Sequence, residues 1–175
     1  MKDKVTMVAA GLVLLALLVA MSEPGRHTES PKPQEEVPDF SFELAGQPRQ
    51  LRDLRGKVVV LNFWATWCPP CVAEMPSLER IHQRFSGRGL VVLGISVDAD
   101  SAEYENFLRT YKITFPNYRD PSKGIATRYG TFMYPETYII DRQGRLIRKV
   151  IGAYEWDSPD ILDYFNRLVE TPSGS

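Results

Sequence analysis

The two cysteines, Cys68 and Cys71, are the residues whose type and spacing best suit chemistry, and the chain contains no others. An intramolecular disulfide must therefore join these two. A bridge that closes so short a loop restricts the unfolded chain little, so it stabilises a fold weakly. Two neighbouring thiols can instead exchange with a partner's disulfide and then with each other. The spacing therefore predicts a redox-active pair.

A metal site is the competing interpretation of the same pair. Structural zinc usually takes two cysteine pairs, or one pair with two histidines. The chain has no second pair, and its two histidines, His27 and His82, lie far apart in sequence. We therefore expect no metal ion and no cofactor.

The sequence around the cysteines predicts a strand followed by a helix. Residues 58–63 are an apolar run, and the two prolines between the cysteines suit a first helical turn, where N–H groups have no intrahelical partner. Apolar residues then recur at helical spacing: Val72, Met75, Leu78, Ile81 and Phe85. Cys68 would cap this helix, where the dipole and free N–H groups favour the nucleophilic thiolate. Cys71, one turn on, would face the protein and act as the resolving thiol.

Pro69 and Pro70 limit how strongly that thiolate is stabilised, because neither carries an N–H group. We therefore expect the pKa of Cys68 to be lowered only moderately, and the dithiol to give up electrons readily. Glu74 lies three residues after Cys71 and shares its helix face. It is either a proton acceptor for that thiol or a solvated helix glutamate.

Two segments carry a family resemblance. Residues 64–76 read Trp-Ala-Thr-Trp-Cys-Pro-Pro-Cys-Val-Ala-Glu-Met-Pro, and residues 130–141 contain Tyr-Pro-Glu-Thr before an apolar run. Together they resemble the thioredoxin superfamily, and within it the TlpA/ResA/CcmG-like membrane-anchored thiol–disulfide oxidoreductases. The Pro-Glu-Thr triplet is most similar to the cytochrome c biogenesis branch.

The resemblance implies roles for individual residues. By position, Cys68 matches the attacking cysteine, Cys71 the resolving one, Glu74 an active-site glutamate and Pro135 a cis-proline. The implied substrate-binding residues are Trp67, Tyr134, Pro135 and Glu136. Glu136 is equally compatible with an exposed loop carboxylate, and Trp64 fits core packing better than the site.

The resemblance also implies an α/β, thioredoxin-like fold: a mixed central sheet flanked by helices, with an N-terminal β-hairpin and a central insertion. The length of 175 residues and the 43% apolar composition suit one domain with extensions. We divide the chain into an N-terminal membrane anchor or signal (residues 1–21), an extended Pro-rich linker (22–37), the thioredoxin-like domain (38–170) and a frayed tail (171–175).

The N-terminal segment sets the expected location. Residues 5–21 carry no charge, which is short for a membrane span and long for the apolar part of a signal peptide. We favour an uncleaved single-pass anchor in the bacterial inner membrane. Lys2 and Lys4 precede it, so the domain should lie on the periplasmic, extracytoplasmic side.

The function expected is disulfide reduction. Implied partners are a protein disulfide substrate, such as apocytochrome c or a haem-handling protein, and a membrane electron donor protein. A net charge of −1 gives no indication of nucleic-acid binding. The alternatives are a general periplasmic reductase or isomerase, and a chaperone module that captures apoproteins. A peroxidase fits less well, because Ala65 stands where peroxiredoxins typically have threonine.

Overall fold

The computed structural model describes residues 29–44 and 46–171. Within these residues the chain forms seven strands and four helices, in the order β1 (Ser41–Leu44), β2 (Gln47–Gln50), β3 (Val58–Trp64), α1 (Pro69–Phe85), β4 (Leu90–Ser96), α2 (Ser101–Thr110), β5 (Asn117–Arg119), α3 (Gly124–Arg128), β6 (Glu136–Ile140), β7 (Leu146–Ile151) and α4 (Pro159–Glu170).

A five-stranded mixed sheet carries the fold, with strand order β5-β4-β3-β6-β7. Its central strand, β3, runs parallel to β4 and antiparallel to β6. Every residue of β3 is buried, which explains why the strand is apolar on both faces. The β1–β2 hairpin forms a separate two-stranded sheet, and β5 and α3 form the insertion before β6. The predicted fold class is confirmed.

Just before β5, the backbone at Phe115 is held by helix α1 rather than by the sheet. The Phe115 backbone N–H and that of Thr114 donate to the buried carboxylate of Glu79 on α1 (3.4 and 2.8 Å). Burial alone would raise the pKa of Glu79, but the hydrogen bonds from Thr114, Gln83 and Phe115 outweigh it and hold that pKa below its usual value.

Part of the segment predicted as linker packs on the domain. The N–H groups of Gln34 and Val37 donate to the carbonyls of Leu146 and Gly144 (2.7 and 3.0 Å), and Leu146 N–H donates back to Glu35 (2.8 Å). These bonds occupy backbone groups at the edge of the sheet that would otherwise lack partners. Packing therefore begins before residue 38.

No helix within residues 29–44 or 46–171 is long and apolar enough to span a bilayer. The predicted anchor, residues 1–21, the start of the linker and most of the predicted tail lie outside the described residues.

Candidate functional site

The redox pair lies at the start of α1, shortly after the end of β3. Cys68 is the N-cap of α1 in extended conformation, and its Sγ accepts a hydrogen bond from the Cys71 N–H at 3.3 Å. A disulfide joins the two sulfurs. Cys68 retains 5% exposure whereas Cys71 has none, so a substrate sulfur can reach only Cys68. The N-cap position of Cys68 and the burial of Cys71 are as predicted.

A loop preceding β6 faces the pair. The Tyr134–Pro135 peptide bond is cis, as the resemblance implied. The carbonyl oxygen of Tyr134 lies 3.5 Å from Cys68 Sγ. The backbone of this loop therefore lies directly beside the Cys68 sulfur.

Exposed apolar side chains surround this approach. Trp67 is 57% exposed and meets the Tyr134 ring edge to face at 6.0 Å. Phe132 and Met133, which the sequence reasoning missed, are 71% and 61% exposed. Two large apolar residues directly before Tyr134-Pro135 were the signal that could have identified them. We call Trp67, Phe132, Met133 and Tyr134 the apolar rim.

Glu74 is buried one helical turn beyond Cys71, so a solvated helix glutamate is excluded. Three donors reach its carboxylate: Asn62 Nδ2 (2.7 Å) on one oxygen, and Tyr154 N–H (3.1 Å) and Trp156 Nε1 (3.0 Å) on the other. Sequence reasoning missed Trp156 and Tyr154, because no local pattern links them to Glu74.

The Glu74 carboxyl is poised to exchange a proton at neutral pH. Burial raises its pKa to about 7, although the hydrogen bonds from Trp156, Asn62 and Tyr154 pull in the opposite direction. A general base works best when its pKa lies near the operating pH. The carboxyl therefore suits transfer of the Cys71 thiol proton.

Glu136 does not lie on an exposed loop. It is buried at the start of β6, forms an ion pair with Lys149 (3.0 Å) and accepts a hydrogen bond from the Tyr138 hydroxyl (3.1 Å). The alternative of an exposed loop carboxylate was therefore wrong, since a buried carboxylate requires such partners. Trp64 is fully buried against α2 and bonded to Asn117 Oδ1 (3.0 Å), as core packing predicts.

Asp98 fixes the loop that leads to Cys68. Its buried carboxylate accepts hydrogen bonds from the Thr66 backbone N–H (3.1 Å), the Thr66 hydroxyl (2.7 Å) and the Ser96 hydroxyl (2.7 Å). Asp100 alone caps α2. Among residues 29–44 and 46–171, no three His, Cys, Asp or Glu side chains are grouped to hold a metal ion.

Replacing Asp98 by alanine should lower the free energy of unfolding by about 3 kcal/mol, because the buried donor on Ser96 and the partly buried donors on Thr66 lose their acceptor. Urea unfolding of the oxidised protein measures this loss. Asp100→Ala, which removes only an exposed helix cap, is the matched control and should lose about 1 kcal/mol. Equal losses in the two variants would contradict the role of Asp98.

Comparisons with known proteins find a family model and several thiol–disulfide oxidoreductases that are similar to this chain. Residues 33–149 match the model of the AhpC/TSA family. The thiol–disulfide oxidoreductase ResA of Bacillus anthracis is 34% identical over 118 residues, which cover 67% of this chain and 68% of ResA. The thioredoxin-like protein YneN of Bacillus subtilis is 42% identical over 113 residues, covering 63% of this chain and 66% of YneN. A solved structure from Chlorobium tepidum, described as a thiol:disulfide interchange protein DsbE, superimposes with a TM-score of 0.74 at 26% identity, covering 80% of this chain and 99% of that one.

Proposed function

The chain belongs to the AhpC/TSA family, in which it groups with the ResA thiol–disulfide oxidoreductases, and we propose that it reduces protein disulfides during cytochrome c maturation. Its enzymatic activity is thiol–disulfide exchange through Cys68 and Cys71. The substrate proposed is the cysteine pair of an apocytochrome c, or a haem-handling protein that carries thiols.

The observation that carries the proposal is the position of Cys68 at a helix N-terminus with one N–H donor. Pro69 and Pro70 carry no N–H, so only the Cys71 N–H reaches the Cys68 sulfur. A strongly oxidising pair requires a strongly stabilised reduced form. A thiolate with one such donor is stabilised less, which favours a reductase over an oxidase.

The proposed reaction has two exchange steps. The Cys68 thiolate attacks a substrate disulfide, which forms a mixed disulfide and releases one substrate thiolate. Glu74 accepts the proton of Cys71, and the Cys71 thiolate then attacks Cys68 Sγ. The second substrate thiolate leaves. The substrate gains two electrons, and the protein is left with the Cys68–Cys71 disulfide.

The substrate would lie along the loop of Tyr134 and Pro135, against the apolar rim. The proposed location is extracytoplasmic, with residues 1–21 as a single-pass anchor in the inner membrane and the domain in the periplasm. A membrane protein would return electrons to the Cys68–Cys71 disulfide after each turnover.

We expect the reduction potential of the domain, equilibrated against thiol buffers, to lie at or below about −220 mV, towards that of thioredoxin. A potential near about −120 mV, as in a strong oxidant, would contradict the reductase role. Deleting the gene should remove c-type cytochromes while leaving other extracytoplasmic disulfide proteins unchanged. A wider loss would instead support a general reductase or isomerase.

The apolar rim favours one second candidate, a chaperone that holds an apoprotein. Trp67 directly precedes Cys68, and Phe132 and Met133 lie on the facing loop. All three expose large apolar surfaces, and such surfaces typically bind partners. In that case the cysteines would capture the apoprotein and turnover would be dispensable. The resolving cysteine separates the two functions, because only a reductase requires it.

A further inference from the structure

We propose that Trp156 is a positioning residue for the redox reaction: its indole N–H stabilises the ionised form of Glu74, which accepts the Cys71 proton. The inference rests on the proposed function, because it assigns Trp156 a task only if Glu74 takes part in resolution. Trp156 lies outside both sequence motifs and would act on Glu74 alone.

The contact is direct and buried. Trp156 is 1% exposed, and its Nε1 lies 3.0 Å from Glu74 Oε2. The backbone N–H of Tyr154 donates to the same oxygen at 3.1 Å. The two donors come from one loop, so the loop of residues 154–157 forms one wall around the carboxylate.

That loop is fastened to the helix that carries Glu74. The Ser77 hydroxyl donates to the Glu74 carbonyl (2.8 Å) and accepts from the Trp156 backbone N–H (3.2 Å). One turn further along α1, Arg80 pairs with Glu155 (3.0 Å) and with Asp157. The loop is therefore fixed to α1 at more than one point, and the indole is held against the Glu74 carboxylate.

Within the described residues, the three hydrogen-bond partners of this carboxyl are all donors. Asn62 Nδ2 on β3 donates to Glu74 Oε1 (2.7 Å) and to Thr137 Oγ1 on β6 (2.9 Å), while Trp156 and Tyr154 supply the other oxygen. Donors favour the ionised form, because a protonated carboxyl presents a hydrogen where one of them points. Burial opposes them, and the balance leaves the carboxyl able to take and release a proton near neutral pH.

Few charged groups on the elements around Glu74 are available to alter its protonation equilibrium. On α1 the facing titratable group is the Cys71 thiol. From the loop, the charged groups are Glu155 and Asp157, which are engaged with Arg80, and β3 and β6 contribute the neutral Asn62 and Thr137. A surface cleft of about 210 Å³, lined by Ala73, Glu74, Ala153, Tyr154 and Glu155, gives the carboxyl a path for returning its proton to water.

The test removes the indole donor and keeps an aromatic ring. In Trp156→Phe, loss of one hydrogen bond to the charged form should raise the pKa of Glu74 by about one unit. Resolution of a preformed mixed disulfide should then slow about fivefold at pH 7, and its pH profile should shift by the same amount towards alkaline pH. Carboxyl ¹³C resonances of the oxidised protein, assigned with Glu74→Gln, report the pKa independently of activity.

Trp64→Phe is the matched control. It removes another buried indole donor, the one on Asn117, without touching Glu74. Its pH profile should keep the wild-type midpoint. A second measurement needs no variant: in the wild-type protein, the indole N–H resonance of Trp156 should titrate with the Glu74 carboxyl, while that of Trp64 should not.

The two negative outcomes of this test lead to different conclusions. If the Glu74 carboxyl titrates identically in Trp156→Phe, or the wild-type Trp156 indole resonance ignores pH, the inference is overturned and the reductase function stands. If the pKa rises but the resolution profile does not move, Glu74 takes no part in resolution. That outcome overturns the inference together with this step of the proposed mechanism.

Discussion

Replacing Cys71 by alanine should convert the protein from a catalyst into a trap. Cys68 keeps its helix N-terminus and the facing loop, so it should still attack a substrate disulfide. No second thiol is then available to release the substrate, because the chain has only these two cysteines. We expect one equivalent of stable mixed disulfide and a loss of turnover of about three orders of magnitude or more.

Mass spectrometry under non-reducing conditions measures the trapped adduct, and a coupled thiol assay measures turnover. Cys68→Ala is the matched control: it should form no adduct, because Cys71 is completely buried. Cytochrome assembly in cells that carry Cys71→Ala decides between the two candidate functions. Wild-type assembly would favour capture by a chaperone and would contradict the reductase.

The parts of the site that follow from local sequence were predicted, because short-range rules determine them. The apolar run of β3, the prolines after Cys68 and the helical spacing beyond Cys71 place one sulfur at a cap and the other inside. The cis bond before Pro135 came from the family resemblance and not from any local rule.

Side-chain environments formed by residues distant in sequence could not be predicted in this way. The partners of Glu74 include Trp156, which lies 82 positions later in the sequence, and no periodicity relates the two. The family resemblance implied that Glu136 binds substrate, and its motif was equally compatible with an exposed loop. Sheet pairing instead buries Glu136, and Lys149 on the neighbouring strand forms an ion pair with it. Asp98 lies close to the start of α2 in the sequence, but the fold turns its carboxylate towards Thr66. In each case, tertiary packing determines the partner of a polar side chain, whereas the sequence shows only that the residue is polar.

Glu74→Gln should slow the resolution of a preformed mixed disulfide about a hundredfold at pH 7, because the amide cannot accept the Cys71 proton. The first step, attack by Cys68, should change little. Stopped-flow mixing of a mixed disulfide, formed with a chromogenic thiol, follows resolution alone. Wild-type kinetics in Glu74→Gln would remove this carboxyl from the mechanism.

The same substitution should raise the free energy of unfolding relative to wild type as pH increases, and that combination distinguishes a functional carboxylate from a structural one. The folded-state pKa of about 7 exceeds the ordinary value of 4.5, so the stability that Glu74 contributes is fully present below about pH 4.5 and is lost as pH rises through 7. The amide has no such dependence. The stability of Glu74→Gln relative to wild type should therefore rise by about 3 kcal/mol between pH 4 and pH 8. Urea unfolding of the oxidised proteins across this range measures the difference. A difference that stays flat would mean that the folded protein does not hold a carboxyl with a raised pKa, and that Cys71 must lose its proton to another acceptor.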